Sequence, residues 1–381
     1  MKGFSDRIAG AKEYYFSKKL KEINEMISAG NDVINFGIGS PDLPPPQSVV
    51  DALNQASNLP SAHGYQSYRG IPELRKAMSA YYQKFFGVAL DPGSEILPLN
   101  GSKEGIMHIS MAFLNPGDEV LLPNPGYPTY AATAKLAQAK LRHYSMKENG
   151  PDLRQIEKEG VEKVKLMWIN FPHMPTGQSP SKKLYQNLFD FAKRNEILLV
   201  NDNPYAHILT EKPLSLMQIK GAPEKCLELN SLSKSFNIAG WRVGMVSGAE
   251  EKIDSILKVK SNMDSGMFYG LQRGAIEALQ SDESWFENLN HIYSKRKKLA
   301  MELASTLNLS FNPEQSGLFL WAKISGDEKS EEFTDRVLDQ KNIFLTPGSI
   351  FGSEGESFIR ISLCVPESSF EQAIDRIKNK S

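Results

Sequence analysis

The chain's 381 residues have room for two or three ordinary domains and for a buried core that needs no disulfide or structural metal. Hydrophobic residues make up 40% and charged residues 23%, which excludes a disordered or fibrous protein. Lys plus Arg total 44 against 45 Asp plus Glu, and a net charge of −1 argues against a nucleic-acid partner.

The first ten residues carry no apolar stretch of signal-peptide length, and no apolar run nears the roughly 20 residues that span a bilayer. The chain reads as cytoplasmic, with no membrane partner. Cys226 and Cys364 show no metal or redox spacing and read as free thiols.

An amphipathic helix is expected over Lys12 to Ser28, stopped by Gly30, followed by an apolar run from Val33 to Phe36. Pro41, Pro44, Pro45 and Pro46 then break regular structure. Beyond them, short apolar runs alternate with helical segments: Glu119 to Leu122, Val164 to Ile169, Ile197 to Val200, Cys226 to Leu229 and Val243 to Ser247. Such runs fit parallel strands buried on both faces. Most end in polar or Gly/Pro-rich clusters, where open α/β sheets bind ligands. Past about residue 285 a charged helix (Ser294 to Leu307) and two more apolar runs (Leu318 to Ala322, Ser357 to Leu363) suggest a smaller α+β unit.

Several motifs fail on inspection. Gly37-Ile38-Gly39 lacks the third glycine of a dinucleotide fingerprint, and Gly101-Ser102-Lys103 is no complete P-loop. Ser231-Leu232-Ser233-Lys234 matches S-x-x-K without its partner motifs. The six histidines show no ligand spacing, so no metal is expected. Lys295-Arg296-Lys297-Lys298 reads as a solvated helix face.

One constellation remains. Lys234 stands between Ser233 and Ser235 just past a strand, with Arg242 eight positions on. That set suits a phosphate-bearing carbonyl cofactor, with the lysine forming a Schiff base. Asp202 and Tyr205 follow another strand. Asp202 reads either as a plain turn residue in Asn-Asp-Asn-Pro or as a carboxylate paired with a pyridine nitrogen. Gly101 to Ile106 opens a helix and reads either as a simple N-terminal cap or as an anion site.

Together these residues resemble the class I/II aminotransferases, pyridoxal-phosphate enzymes of the aspartate aminotransferase fold. The motifs run nearly end to end: Gly39-Ser40-Pro41-Asp42, Tyr65 with Gly70 to Arg75, Gly101 to Gly105, Pro125 to Pro128, Asp202 to Tyr205, and Ser231 to Gly244. The resemblance implies an α/β fold. A large domain (45–284) would carry a mostly parallel seven-stranded sheet flanked by helices. Both chain ends (1–44 and 285–381) would form a small α+β domain.

It also implies roles. Lys234 would be the Schiff-base lysine and proton carrier, Asp202 the pyridine partner, and Tyr205 the donor to the ring oxygen. Tyr127 would stack on the ring. Gly101, Ser102, Lys103, Ser231, Ser233 and Arg242 would surround the phosphate of pyridoxal 5′-phosphate. Tyr65 would reach the phosphate of a neighbouring subunit, which implies a homodimer with shared sites. Arg360 would clamp the substrate carboxylate, helped by the Gly39 N–H.

The family's P-x-N-P-T-G becomes Pro172-His173-Met174-Pro175-Thr176-Gly177 here. Methionine cannot donate to the ring oxygen, so a raised Schiff-base pKa is expected unless His173, a tyrosine or water substitutes. The expected reaction moves an amino group from an L-amino acid to a 2-oxo acid. Gly101 to Ile106 and Asp264 to Phe268 resemble the LL-diaminopimelate, alanine and aspartate branch, which suggests small or dicarboxylic substrates. A carbon–sulfur lyase on the same fold is the alternative, and a ligand-sensing regulator a more distant one.

Overall fold

The computed structural model describes residues 3, 5–8 and 15–379. Among the described residues the main sheet has eight strands: β1 Ile96–Leu99, β2 Glu119–Asn124, β3 Lys140–Lys147, β4 Gly150–Pro151, β5 Val164–Asn170, β6 Leu198–Asp202, β7 Leu227–Ser231 and β8 Gly244–Gly248. Their order is β1-β8-β7-β6-β5-β2-β3-β4. Strands β2, β3, β5, β6 and β7 run parallel. The expected seven strands are thus extended by the two-residue β4.

One strand departs from expectation in direction. The run after Val243 forms β8, which is antiparallel to both β1 and β7. Its five residues are all buried, so the apolar pattern was legible while its direction was not.

Central strands are buried on both faces because helices cover both, and the polar side chains they carry, Asn201, Glu228 and Asn230, are buried with them. On one face, Met167, Ile169 and Leu199 pack with residues of helices Pro72–Phe86, Lys182–Arg194 and Tyr269–Leu279. On the other, Leu166, Trp168, Val200 and Leu229 meet helices Ser102–Phe113, Pro128–Leu136 and Glu250–Lys260. Pro72 at the first helical turn and Gly87 in the left-handed region set the ends of one helix. Ser181 caps another by accepting from the Leu184 N–H at 3.0 Å.

A second, antiparallel sheet joins Ser310–Phe311, Phe319–Lys323, Phe358–Ser362 and Thr346–Pro347 in that order. Its core includes Leu303, Leu320, Ile361 and Phe370. Ile34–Asn35 pairs in parallel with Ile343–Phe344, so the chain's beginning is tied to its end. The first helix is described over Tyr15–Ser28; the expected positions 12–14 lie outside the described residues.

The basic run at 295–298 is not a uniformly solvated face. Arg296 is 2% exposed and holds Asp42 through two contacts of 2.6 and 3.0 Å. Lys297 is half-buried and donates to the Gln315 carbonyl at 2.6 Å. On the helix Glu283–Thr306, Arg296 faces inward because the proline-rich loop bearing Asp42 docks against it. Cys226 and Cys364 are both free and buried. Among the described residues, no helix is long and apolar enough to cross a membrane.

Candidate active site

A cavity of about 500 Å³ opens at the carboxyl ends of the parallel strands. Strands β5, β6 and β7 end there in Asn170, Asp202 and Ser231, all three on its wall. Lys103, Tyr127, Met174, Tyr205, Ser233, Lys234, Arg242 and Arg360 line it too, with Gly39 and Ser102. Residues spread over more than 300 positions therefore share one cavity.

Asp202 is fully buried. Its Oδ2 accepts from the Tyr130 hydroxyl at 2.7 Å, while Oδ1 has no hydrogen-bond partner. Burial pushes its carboxyl up to about 6, and the Tyr130 bond opposes that rise. Tyr130 is held in turn by Trp168, whose ring lies 4.9 Å away and 8° from parallel. Burial of an indole of this size contributes on the order of 4–6 kcal/mol, so the stack is a firm mounting. Asn170 braces the same corner: its Nδ2 donates to the Asp202 carbonyl at 2.6 Å and its Oδ1 accepts from the Met174 N–H at 2.8 Å.

Lys234 lies in the short helix Leu232–Ser235 directly after β7. Its Nζ donates to the Gly39 carbonyl at 2.5 Å. Burial lowers its pKa, and the cations of Arg360 and Arg242 push the same way. That setting shifts the balance from the ammonium toward the neutral amine.

An anion cradle lies beside it. Gly101 precedes helix Ser102–Phe113 with φ +84°, so the first free N–H groups of a twelve-residue helix begin beside the cavity. A Cβ on Gly101 would sit 2.1 Å from Arg242 Nη2, so only glycine lets that guanidinium close on the loop. Arg242 Nη1 donates to Ser233 Oγ at 3.4 Å and to the Ala239 carbonyl at 3.0 Å. Ser231 Oγ accepts from the Ser233 N–H at 3.2 Å.

Arg360 is 5% exposed, on the second sheet. Its guanidinium carbon lies 3.9 Å from the Phe319 ring centre and 4.8 Å from that of Phe351. Nη2 donates to the Gly37 carbonyl at 2.9 Å, and Nη1 lies 3.3 Å from Met174 Sδ. Tyr205 is buried, with its phenol pKa raised chiefly by that burial.

A family model, aminotransferase class I and II, matches residues 31–377. The chain belongs to this family. As an aminotransferase it is similar to the LL-diaminopimelate aminotransferase of Aquifex aeolicus, at 40% identity over 99% of this chain and 98% of that protein. The protein of that name from Halothermothrix orenii is 39% identical, over 98% of both. Among solved structures, substrate-bound BacF from Bacillus subtilis superposes with a TM-score of 0.95 at 33% identity, covering 99% of this chain and 97% of that one. A mutant Thermus thermophilus aspartate aminotransferase gives 0.92 at 25% identity, covering 99% of each. These matches support the aminotransferase reading and lend nothing to the lyase or regulator.

Aminotransferases of this family depend on pyridoxal 5′-phosphate. The cavity fits that group: a buried carboxylate oxygen without a partner, an amine at a strand end, and a glycine-shaped cradle of helix N–H groups and arginine.

Of the residues expected from sequence, Tyr65 stands apart. It is 94% exposed and does not line this cavity. Asn170 and Tyr130 were missed as site residues. Asn170 was legible as the polar end of an apolar run, and Tyr130 as a second tyrosine one helical turn after Tyr127. Phe319 and Phe351, which flank Arg360, carry no such signal.

Proposed function

We propose that this cavity is the catalytic centre of the aminotransferase, with Lys234 as the reacting amine. The observation that carries the reading is Asp202 Oδ1, buried and unpartnered in the cavity that also holds the Lys234 amine. An acceptor so placed suits a protonated ring nitrogen. The bound cofactor supplies an electron sink that acidifies the substrate Cα–H.

The chain's own groups do the rest. Lys234 Nζ takes the Cα proton and delivers it across the site. Asp202 would keep the proton on the cofactor's ring nitrogen, Tyr205 would donate to its ring oxygen, and Tyr127 would cover the ring face. Gly101, Ser102, Lys103, Ser231, Ser233 and Arg242 would hold its phosphate. Arg360, fixed between two phenyl rings, presents its fork to the substrate carboxylate, with the Gly39 N–H beside it.

The substrate named for the curated relatives, LL-diaminopimelate, is the amino donor we propose, supported by similarity along the whole chain. We further propose a cytoplasmic homodimer in which Tyr65 completes the neighbouring site; its 94% exposure supports that role. The domain split proposed is 45–284 for the cofactor and 1–44 with 285–381 for the small domain. The separate antiparallel sheet and the strand pair joining the chain ends support it.

The test is a half-reaction screen. Loaded protein is mixed with LL-diaminopimelate, alanine or aspartate, and conversion to the pyridoxamine form is followed by absorbance. Conversion is expected with LL-diaminopimelate and absent in Lys234→Ala. Normal turnover by Lys234→Ala would overturn the assignment.

A further inference from the structure

We propose that Met174 is a positioning residue: it orients the Arg360 guanidinium and leaves the cofactor's ring oxygen with Tyr205 as its side-chain donor. The inference rests on the functional reading above and concerns this chain's departure from the asparagine of its family motif.

Three observations place Met174. Its backbone N–H is pinned by Asn170 Oδ1 at 2.8 Å, and Asn170 is itself fixed to the Asp202 carbonyl. The side chain is 6% exposed and belongs to the apolar cluster that includes Tyr205 and Phe319. Its sulfur meets Arg360 Nη1 at 3.3 Å. The residue is therefore held rigidly on the wall shared by Tyr205 and Arg360.

Two consequences follow from the chemistry of a thioether. Sulfur is a weak acceptor and donates nothing. It completes an apolar box with Phe319 and Phe351 around the guanidinium while competing little with a carboxylate for that N–H. An asparagine amide here would offer an N–H to an anionic ring oxygen, and methionine withholds it. The neighbouring His173 does not replace it through Nδ1, which faces Thr176 Oγ1 at 2.8 Å inside the loop. With one donor fewer, the anionic ring oxygen is less stabilised, and the loaded site holds its exchangeable proton to higher pH.

The experiment compares wild type, Met174→Asn, Met174→Gln and Met174→Leu, each loaded with pyridoxal phosphate. The absorbance spectrum is titrated from about pH 5 to pH 10. Asn, or Gln if the Asn variant fails to fold, is expected to lower the spectral midpoint by about one unit, a tenfold change. Leu keeps the shape without sulfur or donor, so its midpoint should stay at the wild-type value while KM for the amino acid rises about threefold and kcat holds. An unmoved or raised midpoint in both amide variants overturns the inference and leaves the functional reading standing. A wild-type protein that develops no visible band on loading overturns both.

Discussion

Replacing Tyr130 by phenylalanine removes one hydroxyl and leaves the ring stacked on Trp168. That hydroxyl donates to Asp202 Oδ2 at 2.7 Å and holds down a carboxyl that burial has lifted to about 6. A hydrogen bond to a charged acceptor contributes about 1.5–3 kcal/mol, equal to about one to two pKa units. Without it, Asp202 should carry a proton through neutral pH and lose its charge for the ring nitrogen. The assay is pyridoxal-phosphate affinity of the cofactor-free protein, read by fluorescence quenching across pH. Wild-type affinity should fall as pH drops through about 6, the value at which Asp202 takes up its proton. In Tyr130→Phe the fall should move up by about one unit. Asp202→Asn should show no such step. Coincident midpoints for wild type and Tyr130→Phe would refute the reasoning.

Gly101→Ala places a methyl 2.1 Å from Arg242 Nη2 at a φ of +84°. Cofactor affinity should drop about tenfold, since the guanidinium must move off the loop and a non-glycine residue in this left-handed backbone costs about 1–3 kcal/mol. Unchanged affinity, with the fold intact by circular dichroism, would exclude a cradle at this point. Buried His207 is pushed down to about 3 and stays neutral, stacked on Phe286 at 4.0 Å with its Nε2 2.7 Å from the Tyr81 hydroxyl. The unfolded chain binds this proton first, so its contribution to stability is whole above about pH 6.5 and is lost as pH falls from there toward 3. Between pH 7 and pH 5, wild type should lose about 2 kcal/mol more than His207→Gln in urea denaturation. Equal losses would show that His207 protonates freely in the fold.

Much of the site was legible because parallel strands carry their signal locally. Apolar runs from Ile197 to Val200 and from Cys226 to Leu229, each followed by a polar cluster bearing Asp202 or Ser231, marked strand ends, and ligands of open α/β sheets bind at strand ends. Strand β3 was harder to see: its Lys-Leu-Arg-His-Tyr-Ser-Met-Lys lies near the sheet edge and is mostly half-exposed, so no apolar run forms. Arg296 was misread for a different reason. Its partner Asp42 stands 254 positions away, and helix periodicity cannot announce a docking loop. Tyr130 gained its importance from Trp168 and Asp202, two contacts made across separate elements. The direction of β8 was invisible because a short buried run reads the same either way.

The strip of backbone from Gly37 to Gly39 accepts from two basic side chains of the cavity. Gly37 receives the Arg360 guanidinium at 2.9 Å, and Gly39 receives the Lys234 amine at 2.5 Å. In the proposed reaction a carboxylate drawing on Arg360 would pull on one end of this strip, and the Lys234 amine would release the other on leaving. Under the proposed roles, substrate capture and lysine release would therefore share one three-residue strip, and filling one pocket would change the restraint on the other.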